Sequence, residues 1–213
     1  MHTHCHISPT TAYSKRLFDL FIATVGIIIT LPLWPLIAVA IKYKSPGPIF
    51  FTQERSGISF ANLAPTFKMI KFRTMIDNAE KNSGPVLATA DDPRITSVGR
   101  FLRKTRLDEL PQFINVLKGE MSVIGPRPER PAFYQKLERE IPFFSERTYC
   151  VTPGITGLSQ VNQGYDTCLE DVRNKLGFDI SYGLALSNFW SWLKMDCIII
   201  LRTLLVMFTA RGQ

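Results

Sequence analysis

The chain has 213 residues, 46% of them hydrophobic, and a formal net charge of +7 at pH 7. This length suffices for one domain with a substantial core, and the positive charge indicates an anionic partner, which nucleic acid, anionic lipid and a phosphorylated substrate would all satisfy. The four cysteines show no paired spacing, so we predict reduced cysteines and no zinc site or disulfide framework. The three histidines lie within the first six residues, so catalysis by histidine is excluded unless the tail folds back.

The N-terminal part of the chain is dominated by one apolar block. Residues 1–14 are predicted to form a flexible tail, and about 25 apolar residues follow at 17–41, a length typical of a transmembrane helix. Pro32 and Pro35 interrupt this block and should break it. Basic residues flank it on both sides: Lys15, Arg16, Lys42 and Lys44. Because such flanks favour the cytoplasmic side, we predict a re-entrant helix–break–helix over residues 15–44, with a kinked single span as the alternative.

Two polar side chains inside this block need partners. Thr30 lies two residues before Pro32, and we expect it to bond a carbonyl group that the break frees. Asp19 would be costly facing lipid, so we expect it to pair with Arg16 or another cation at the interface.

A β-hairpin is predicted next. Residues 48–53 and 65–74 are rich in β-branched and aromatic residues, and the segment between them suits a loop, with a polar tip at 53–55. The second strand should have an apolar and a basic face. The apolar set is Phe67, Met69 and Phe72, and the basic set is Lys68, Lys71 and Arg73.

The most charged stretch of the chain follows a short helix and polar loop at 76–94, where Asp91 and Asp92 indicate a turn rather than a metal site. Four cations precede the adjacent carboxylates Asp108 and Glu109: Arg100, Arg103, Lys104 and Arg106. A Gly-Pro-Arg-Pro segment comes at 125–128. Cations beside paired carboxylates suit phosphate chemistry, although a solvated basic face followed by an N-capping Asp fits the same pattern.

Helix signals frame this stretch and continue to the C-terminal region. Ser97 is expected to cap one helix, and Asp108 the next, which Gly119 would end after Lys118. A charged helix at 129–147 should end or kink at Pro142, and 153–157 should form a glycine turn leading into a short strand. The apolar helix at 188–208 contains charges, so we expect it to lie in the interface or on the hairpin of 15–44, with a second transmembrane helix as the alternative. Its residues Trp190 and Trp192 suit the headgroup level.

Several of these segments, in order, resemble the bacterial sugar transferases, which are monotopic phosphoglycosyl transferases. The matching motifs are KRLFD at 15–19, FTQERSG at 51–57, FKMIKFRTM at 67–75, GRFLRKTRLDELPQ at 99–112, the continuation to GPRP at 128, and PGITGLSQVN at 153–162. Two places depart from the expected pattern: Thr152 stands where we expect Arg, and 163–171 differ after the VN pair. No sugar is therefore predicted.

The resemblance implies an α+β, mostly α, fold with a re-entrant membrane helix, a small β-hairpin and interfacial amphipathic helices around a catalytic core at 45–213. It implies a monotopic enzyme on the cytoplasmic face of the bacterial inner membrane that transfers a sugar-1-phosphate from a UDP-sugar to undecaprenyl phosphate. Asp108 would be the nucleophile, and Asp108 and Glu109 would bind Mg²⁺. Four cations would hold phosphoryl oxygens: Arg103, Arg127, Lys71 and Arg73.

Two other functions fit parts of the sequence. A non-enzymatic basic membrane anchor that binds anionic lipid would explain the charge and the apolar block, but it gives no reason for the carboxylates beside Gly-Pro-Arg-Pro. Nucleic-acid binding is not predicted, because no recognised aromatic–basic motif is present. The sequence leaves open whether the chain forms a homodimer.

Overall fold

Helices make up most of the chain in the computed structural model, which describes residues 6–60, 65–79, 92–163 and 169–208. The helices are α1 (Pro9–Thr30), α2 (Leu33–Lys44), α3 (Ser97–Lys104), α4 (Gln112–Lys118), α5 (Pro131–Glu140), α6 (Leu158–Asn162), α7 (Leu169–Ala185) and α8 (Phe189–Phe208). The strands are β1 (Phe50–Ser56), β2 (Thr66–Phe72), β3 (Ser122–Ile124) and β4 (Gly154–Thr156), and 3₁₀ turns lie at Leu107–Glu109 and Phe144–Thr148. The mostly helical α+β class with small sheets is confirmed.

The predicted break in the N-terminal block is confirmed. Helix α1 ends at Thr30, Pro32 is the N-cap of α2, and Pro35 lies in the first turn of α2. Among the described helices, none alone is long and apolar enough to cross a membrane, whereas α1 and α2 together reach that length and composition with a bend of 64° between them. The start of α1 was predicted wrongly: Ser8 accepts a hydrogen bond from Thr11 N at 3.1 Å, so the helix begins at Pro9 instead of Lys15.

Both polar side chains of the block bind elsewhere than predicted. Thr30 Oγ1 donates to Gly26 O at 2.7 Å, one turn back inside α1, and not to a carbonyl freed at the break. Asp19 is 4% exposed and accepts hydrogen bonds from Ser122 Oγ and Val123 N, each at 2.9 Å. The backbone and hydroxyl donors of β3 thus satisfy Asp19, while Arg16 binds carbonyl groups at the end of α4. Asp19 therefore anchors α1 to the core.

The predicted hairpin is present, but its faces differ from the prediction. Strands β1 and β2 pair antiparallel from Phe50 opposite Phe72 to Ser56 opposite Thr66, so residues 53–55 lie in β1 rather than in a tip. Because side chains alternate along a strand, Lys71 shares its face with Phe67 and Met69, and Phe72 lies on the opposite face. On that opposite face Lys68 is exposed and Phe72 is buried, so the predicted separation into one apolar and one basic face is wrong.

Two apolar clusters divide the core. The larger joins α1, β2, α4, β3 and α8 and includes Ala23, Val116, Met121, Ile124 and Ile199. The smaller joins α2, β2 and α3 through Ile37, Ile41, Phe72 and Leu102, and Leu107 and Leu110 pack against it. The acidic pair Asp108–Glu109 lies between these last two leucines in sequence, so the smaller cluster supports the acidic turn.

Helix α8 packs on α1, as predicted for the apolar C-terminal helix. Its Asp196 accepts hydrogen bonds from Lys15 Nζ at 3.3 Å, Tyr182 OH at 2.9 Å and Trp192 Nε1 at 2.7 Å. Trp192 is only 3% exposed, so its assignment to the headgroup level was wrong, whereas Trp190 is 73% exposed. Residues two positions apart on a helix lie on nearly opposite sides of it, so Trp192 faces the buried carboxylate of Asp196 and Trp190 faces away from it.

Other predictions have mixed outcomes. Helix α5 ends before Pro142, as predicted. The strand β4 lies within the predicted glycine turn of 153–157 instead of after it, helix α6 follows, and the parallel pairing of β4 with β3 was not predicted. Cys150 is disulfide-bonded, so the expectation of reduced cysteines is wrong at this position. Helix α7 was also missed. Asp92 accepts hydrogen bonds from Arg94 in the predicted turn, while Asp91 lies outside the described residues.

Candidate active site

Glu109 is the centre of a cluster of cations. Its Oε1 lies 2.7 Å from Lys71 Nζ, 3.5 Å from Arg127 Nη2 and 4.0 Å from Arg106 Nη1. Burial alone would raise the pKa of the Glu109 carboxyl, but Lys71, Arg127 and Arg106 together hold that pKa well below its usual value. Glu109 is therefore a carboxylate at any physiological pH.

Asp108 has different surroundings from its neighbour. It is 6% exposed, and within the described part of the chain its carboxylate makes no hydrogen bond. Burial raises the pKa of the Asp108 carboxyl above its usual value, against the opposing charge of Lys71. The Glu109 carboxylate adds to that increase, and Arg103 and Arg106 counteract it. The two adjacent carboxyl groups thus have pKa values shifted in opposite directions, a pattern typical of catalytic pairs.

Helix α3 brings its cationic end to the acidic pair. A Cβ at Gly99 would collide with the carbonyl oxygen of Thr74, so glycine permits the close approach of α3 to the chain after β2. Arg103 Nε donates to Thr74 Oγ1 at 2.9 Å, which fixes its guanidinium beside that strand. The N-cap is Thr96 and not the predicted Ser97, because Thr96 Oγ1 accepts a hydrogen bond from Gly99 N.

The acidic pair lies in a 3₁₀ turn rather than at the start of a helix. Arg106, which precedes the turn, has a left-handed backbone with φ of 59°, a conformation that non-glycine residues adopt at an energetic cost. Helix α4 begins only at Gln112, so the prediction that Asp108 caps it is wrong. The predicted end of α4 is confirmed, with Gly119 at φ of 84°.

Asn115 joins α4 to the strand that contains Lys71. Its Oδ1 accepts from Ile70 N at 3.0 Å, and its Nδ2 donates to Lys68 O at 2.8 Å. These bonds hold β2 beside α4 directly next to Lys71, and Asn115 is fully buried. Sequence reasoning missed this residue, since an Asn inside a helix gives no signal of a partner elsewhere.

Two glycine motifs pack backbone against backbone and place Arg127. Gly125 N donates to Thr156 O at 2.8 Å and Gly154 N donates to Pro126 O at 2.9 Å. A Cβ at Gly125 would collide with the carbonyl of Thr152, and one at Gly154 would collide with Gly125 N. This contact continues the β3–β4 pair and leads directly into Arg127. Thr152 thus supports the motif through its backbone.

The two arginines of the hairpin differ from expectation. Arg73, predicted to bind phosphate, is 4% exposed and donates to Ser45 O at 2.6 Å and Pro46 O at 2.7 Å. Its guanidinium joins the end of α2 to the hairpin, and it does not contact the Glu109 cluster. Arg55 lies closer to that cluster: it donates to Pro128 O at 3.0 Å, and burial together with Arg127 lowers the pKa of its guanidinium to about 10.

A second buried ionic network begins two residues after Arg127. Arg147 is 1% exposed and lies 2.6 Å from Asp179 Oδ2 and 3.3 Å from Glu129 Oε1. Lys175 Nζ is 3.7 Å from the same Glu129 oxygen. The network ties α7 to the segment that contains Arg127. Its members are spread over the sequence without a recognisable motif, so sequence reasoning did not find it.

The described residues could hold a divalent cation only if the phosphates of a substrate supplied further ligands. Among the described residues, no group of three or more potential metal ligands occurs. Mg²⁺ is commonly held by one or two carboxylates plus substrate phosphates and water. The unbonded Asp108 carboxylate beside an ionised Glu109 fits that mode of binding.

The amino-acid sequence is similar to those of known bacterial proteins. The model of the bacterial sugar transferase family matches residues 10–210. The UDP-N-acetylgalactosamine-undecaprenyl-phosphate N-acetylgalactosaminephosphotransferase of Aeromonas hydrophila is 43% identical over 205 residues, which cover 96% of this chain and 46% of that protein. The UDP-glucose:undecaprenyl-phosphate glucose-1-phosphate transferase of Escherichia coli is 42% identical over 170 residues, which cover 79% of this chain and 35% of that protein.

A shorter relative matches along most of its length. The exopolysaccharide production protein ExoY of Sinorhizobium fredii is 34% identical over 221 residues, which cover 97% of this chain and 91% of that protein. The chain thus spans less than half of the two longer relatives and nearly all of this one.

Proposed function

Because the chain belongs to the bacterial sugar transferase family, we propose that it transfers a sugar-1-phosphate from a UDP-sugar to undecaprenyl phosphate and releases UMP. The observation that carries this proposal is the pair of adjacent buried carboxyl groups, one bound by three cations and the other without a hydrogen bond among the described residues. Such a step would begin a surface polysaccharide on the membrane, in keeping with the names of the relatives.

The proposed reaction has two displacements at one phosphorus atom. An Asp108 carboxylate oxygen bonds to the phosphorus that bears the sugar, the bond from that phosphorus to the bridging oxygen breaks, and UMP leaves with the bridging oxygen. An oxygen of undecaprenyl phosphate then bonds to the same phosphorus, and the Asp108 carboxylate leaves. The product is a sugar linked to the lipid through a diphosphate.

Asp108 suits the role of nucleophile because a carboxylate needs no general base, and no histidine lies near it in sequence. Its burial removes water from the ionised form, which raises both its pKa and its reactivity toward an electrophile. Hydrogen bonds would lower that reactivity, and the carboxylate makes none to a described residue.

Glu109 would order the cations around the reacting phosphate. Through one oxygen it holds Lys71 and Arg127 within 3.5 Å, so their remaining N–H groups can face phosphoryl oxygens. Arg103 and Arg55 would supply further positive charge from the ends of α3 and β1. Arg73 would support the site only by stabilising the fold, since its Nη1 and Nη2 groups donate hydrogen bonds to backbone carbonyl oxygens.

We propose that the carboxylates of Asp108 and Glu109 would hold Mg²⁺ together with substrate phosphate. The ion would supply positive charge to the diphosphate oxygens and to the departing UMP. The residues of the chain then hold and orient the donor, and the nucleophile remains within reach of the phosphorus.

The bent helix pair would place this site at the membrane. Large apolar side chains of α1 and α2 are exposed, among them Phe21, Ile28, Ile29, Leu36 and Val39. An apolar surface of this extent is stable only against lipid or another protein. We propose that α1 and α2 enter the cytoplasmic leaflet of the bacterial inner membrane and return, and that residues 45–213 form the catalytic domain on its cytoplasmic face.

The test uses the purified chain in nanodiscs with Mg²⁺, a panel of UDP-sugars and undecaprenyl phosphate. We expect UMP as the nucleotide product with at least one donor, and a loss of turnover with EDTA. Asp108→Asn should abolish UMP formation, and Asp77→Asn, which changes a more exposed carboxylate, should not. UDP as the product would indicate a plain glycosyltransferase, and no turnover with any donor would favour a lipid-binding anchor.

A further inference from the structure

An apolar groove of about 400 Å³ lies between α2 and α3. Its lining includes Leu36, Ile37 and Ala40 from α2 and Val98, Phe101 and Leu102 from α3, together with Ser97. The volume lies in the range of small-ligand pockets, roughly 300–1,000 Å³. The groove thus has the size and the character of a site for an apolar ligand.

The walls and the floor of the groove differ in exposure. Ile37 and Leu102 in the floor are 8% and 2% exposed, whereas Leu36 and Phe101 are 68% and 60% exposed. The floor is therefore a packed part of the core, and the walls are apolar surface that no described residue covers. Since α2 is one arm of the proposed membrane element, the groove is placed where lipid chains are present.

The floor of the groove continues to the acidic pair. Ile37 and Leu102 belong to the same apolar cluster as Leu107 and Leu110, which flank Asp108 and Glu109 in sequence. One apolar cluster thus joins the groove to the turn that contains the proposed nucleophile.

Helix α3 joins the groove to the cations of the site. It presents Val98, Phe101 and Leu102 to the groove, and Arg103 in its last turn acts electrostatically on Asp108. An apolar chain in the groove would therefore have a positive charge and the proposed nucleophile at one end. A prenyl chain ending in a phosphate has matching chemistry.

On this basis we infer that the α2–α3 groove binds the first isoprene units of the polyprenyl phosphate acceptor and directs its phosphate toward Asp108. This inference rests on the proposed function, because it assigns a binding site to the second substrate of that reaction. Because the lining is almost entirely apolar, we expect the charged donor to bind outside the groove and the groove to serve only the second displacement.

Ala40→Phe tests the inference by filling the groove, and Val39→Phe is the matched control, because Val39 lies next to it on α2, is 69% exposed and does not line the groove. We expect Ala40→Phe to lower kcat/KM for undecaprenyl phosphate roughly tenfold or more, because the apolar contacts of the acceptor chain are lost. UMP release on mixing with UDP-sugar alone should remain at the level of the unmodified protein. Val39→Phe should leave both measurements unchanged.

Two further measurements keep the outcome interpretable. Phe101→Ala removes an exposed wall of the groove without adding volume, and it should weaken the long acceptor in the same direction if Ala40→Phe does not fold. A prenyl phosphate of a single isoprene unit makes fewer contacts in the groove, so Ala40→Phe should lower its kcat/KM less than that of undecaprenyl phosphate. Equal effects on the short and long acceptors, or equal effects of Ala40→Phe and Val39→Phe, would overturn the inference and indicate that bilayer lipid covers the groove. Absence of UMP release from the unmodified chain would instead refute the proposed function.

Discussion

Replacing Lys71 with methionine removes the cation nearest to Glu109 and leaves an uncharged, unbranched side chain of similar length. Lys71 Nζ and Glu109 Oε1 are 2.7 Å apart, and the two side chains are 15% and 10% exposed. The pair is therefore buried enough for its loss to affect both the stability of the fold and the ionisation of Asp108.

The effect on stability follows from the partners that remain. Removal of one member of a buried ion pair typically costs about 3–5 kcal/mol. Arg127 at 3.5 Å and Arg106 at 4.0 Å stay near the same Glu109 oxygen, so we expect a loss near the lower limit, about 3 kcal/mol. For a chain of this size that loss lowers the Tm by about 6–12 °C.

The effect on chemistry has a definite sign. Burial raises the pKa of the Asp108 carboxyl, and Lys71 is the strongest of the charges that oppose this increase. Without Lys71 the pKa of Asp108 should rise further. Because Asp108 must be ionised to attack, the acidic limb of the pH profile for UMP release should move to higher pH.

The assay measures UMP release in a single turnover with the acceptor withheld, between pH 4 and 9. Lys68→Met is the control, because Lys68 lies on the same strand and is exposed, so it removes the same formal charge away from Glu109. The acidic limb should move with Lys71→Met and stay in place with Lys68→Met. An unchanged limb, or a shift to lower pH with Lys71→Met, would refute the assignment of Asp108 as the ionised nucleophile.

Three further variants have defined outcomes. Asp108→Asn should abolish turnover and raise the Tm at neutral pH, because the pKa of the Asp108 carboxyl is higher in the folded state than in the unfolded state. The gain in Tm should vanish below about pH 4, where the carboxyl group is protonated in both states. A lower Tm at neutral pH would contradict this. Gly99→Ala should cost about 1–3 kcal/mol by calorimetry, because its Cβ collides with Thr74 O, and an unchanged Tm would count against the close approach. Arg147→Met should cost about 3–5 kcal/mol in urea unfolding because Asp179 then remains buried without its cation, and a loss under 1 kcal/mol would refute that role.

Local sequence signals predicted most of the elements. Pro32 at the centre of an apolar block marked the helix break, Gly119 marked the end of α4, and apolar runs marked the hairpin and α8. Each of these features depends on residues within one or two turns of one another. The strands of the parallel pair β3–β4 have only three residues each, too few to show an alternation, so that pair was not predicted.

Partners that are distant in sequence were the main source of error. Asp19 pairs with β3 rather than with Arg16, and Arg147 pairs with Asp179, because buried carboxylates bind whichever donors the packing brings to them. Lys71 and Arg73 lie two residues apart in one motif. The first binds Glu109, and the second, which follows the end of β2, binds the carbonyl groups of Ser45 and Pro46. Neither partner is close to the motif in sequence.

The site itself was predicted only in part. Asp108 and Glu109 are adjacent in sequence, so their pairing was evident, whereas Lys71 and Arg127 were placed near them through the resemblance to a family. Their distances from Glu109 are consistent with that placement. The opposite shifts in the pKa values of the two carboxyl groups could not be predicted, because they depend on which of the two accepts the cations.

The most direct test of the central claim is a search for the covalent intermediate on Asp108. The full chain is mixed with Mg²⁺ and a UDP-sugar that supports UMP release, undecaprenyl phosphate is withheld, and peptides are mapped by mass spectrometry after a rapid quench. We predict a phosphosugar mass on the peptide that contains Asp108, its loss when undecaprenyl phosphate is added, and its absence in Asp108→Asn. UMP release that requires the acceptor, with no adduct, or an adduct on a different residue, would contradict the account.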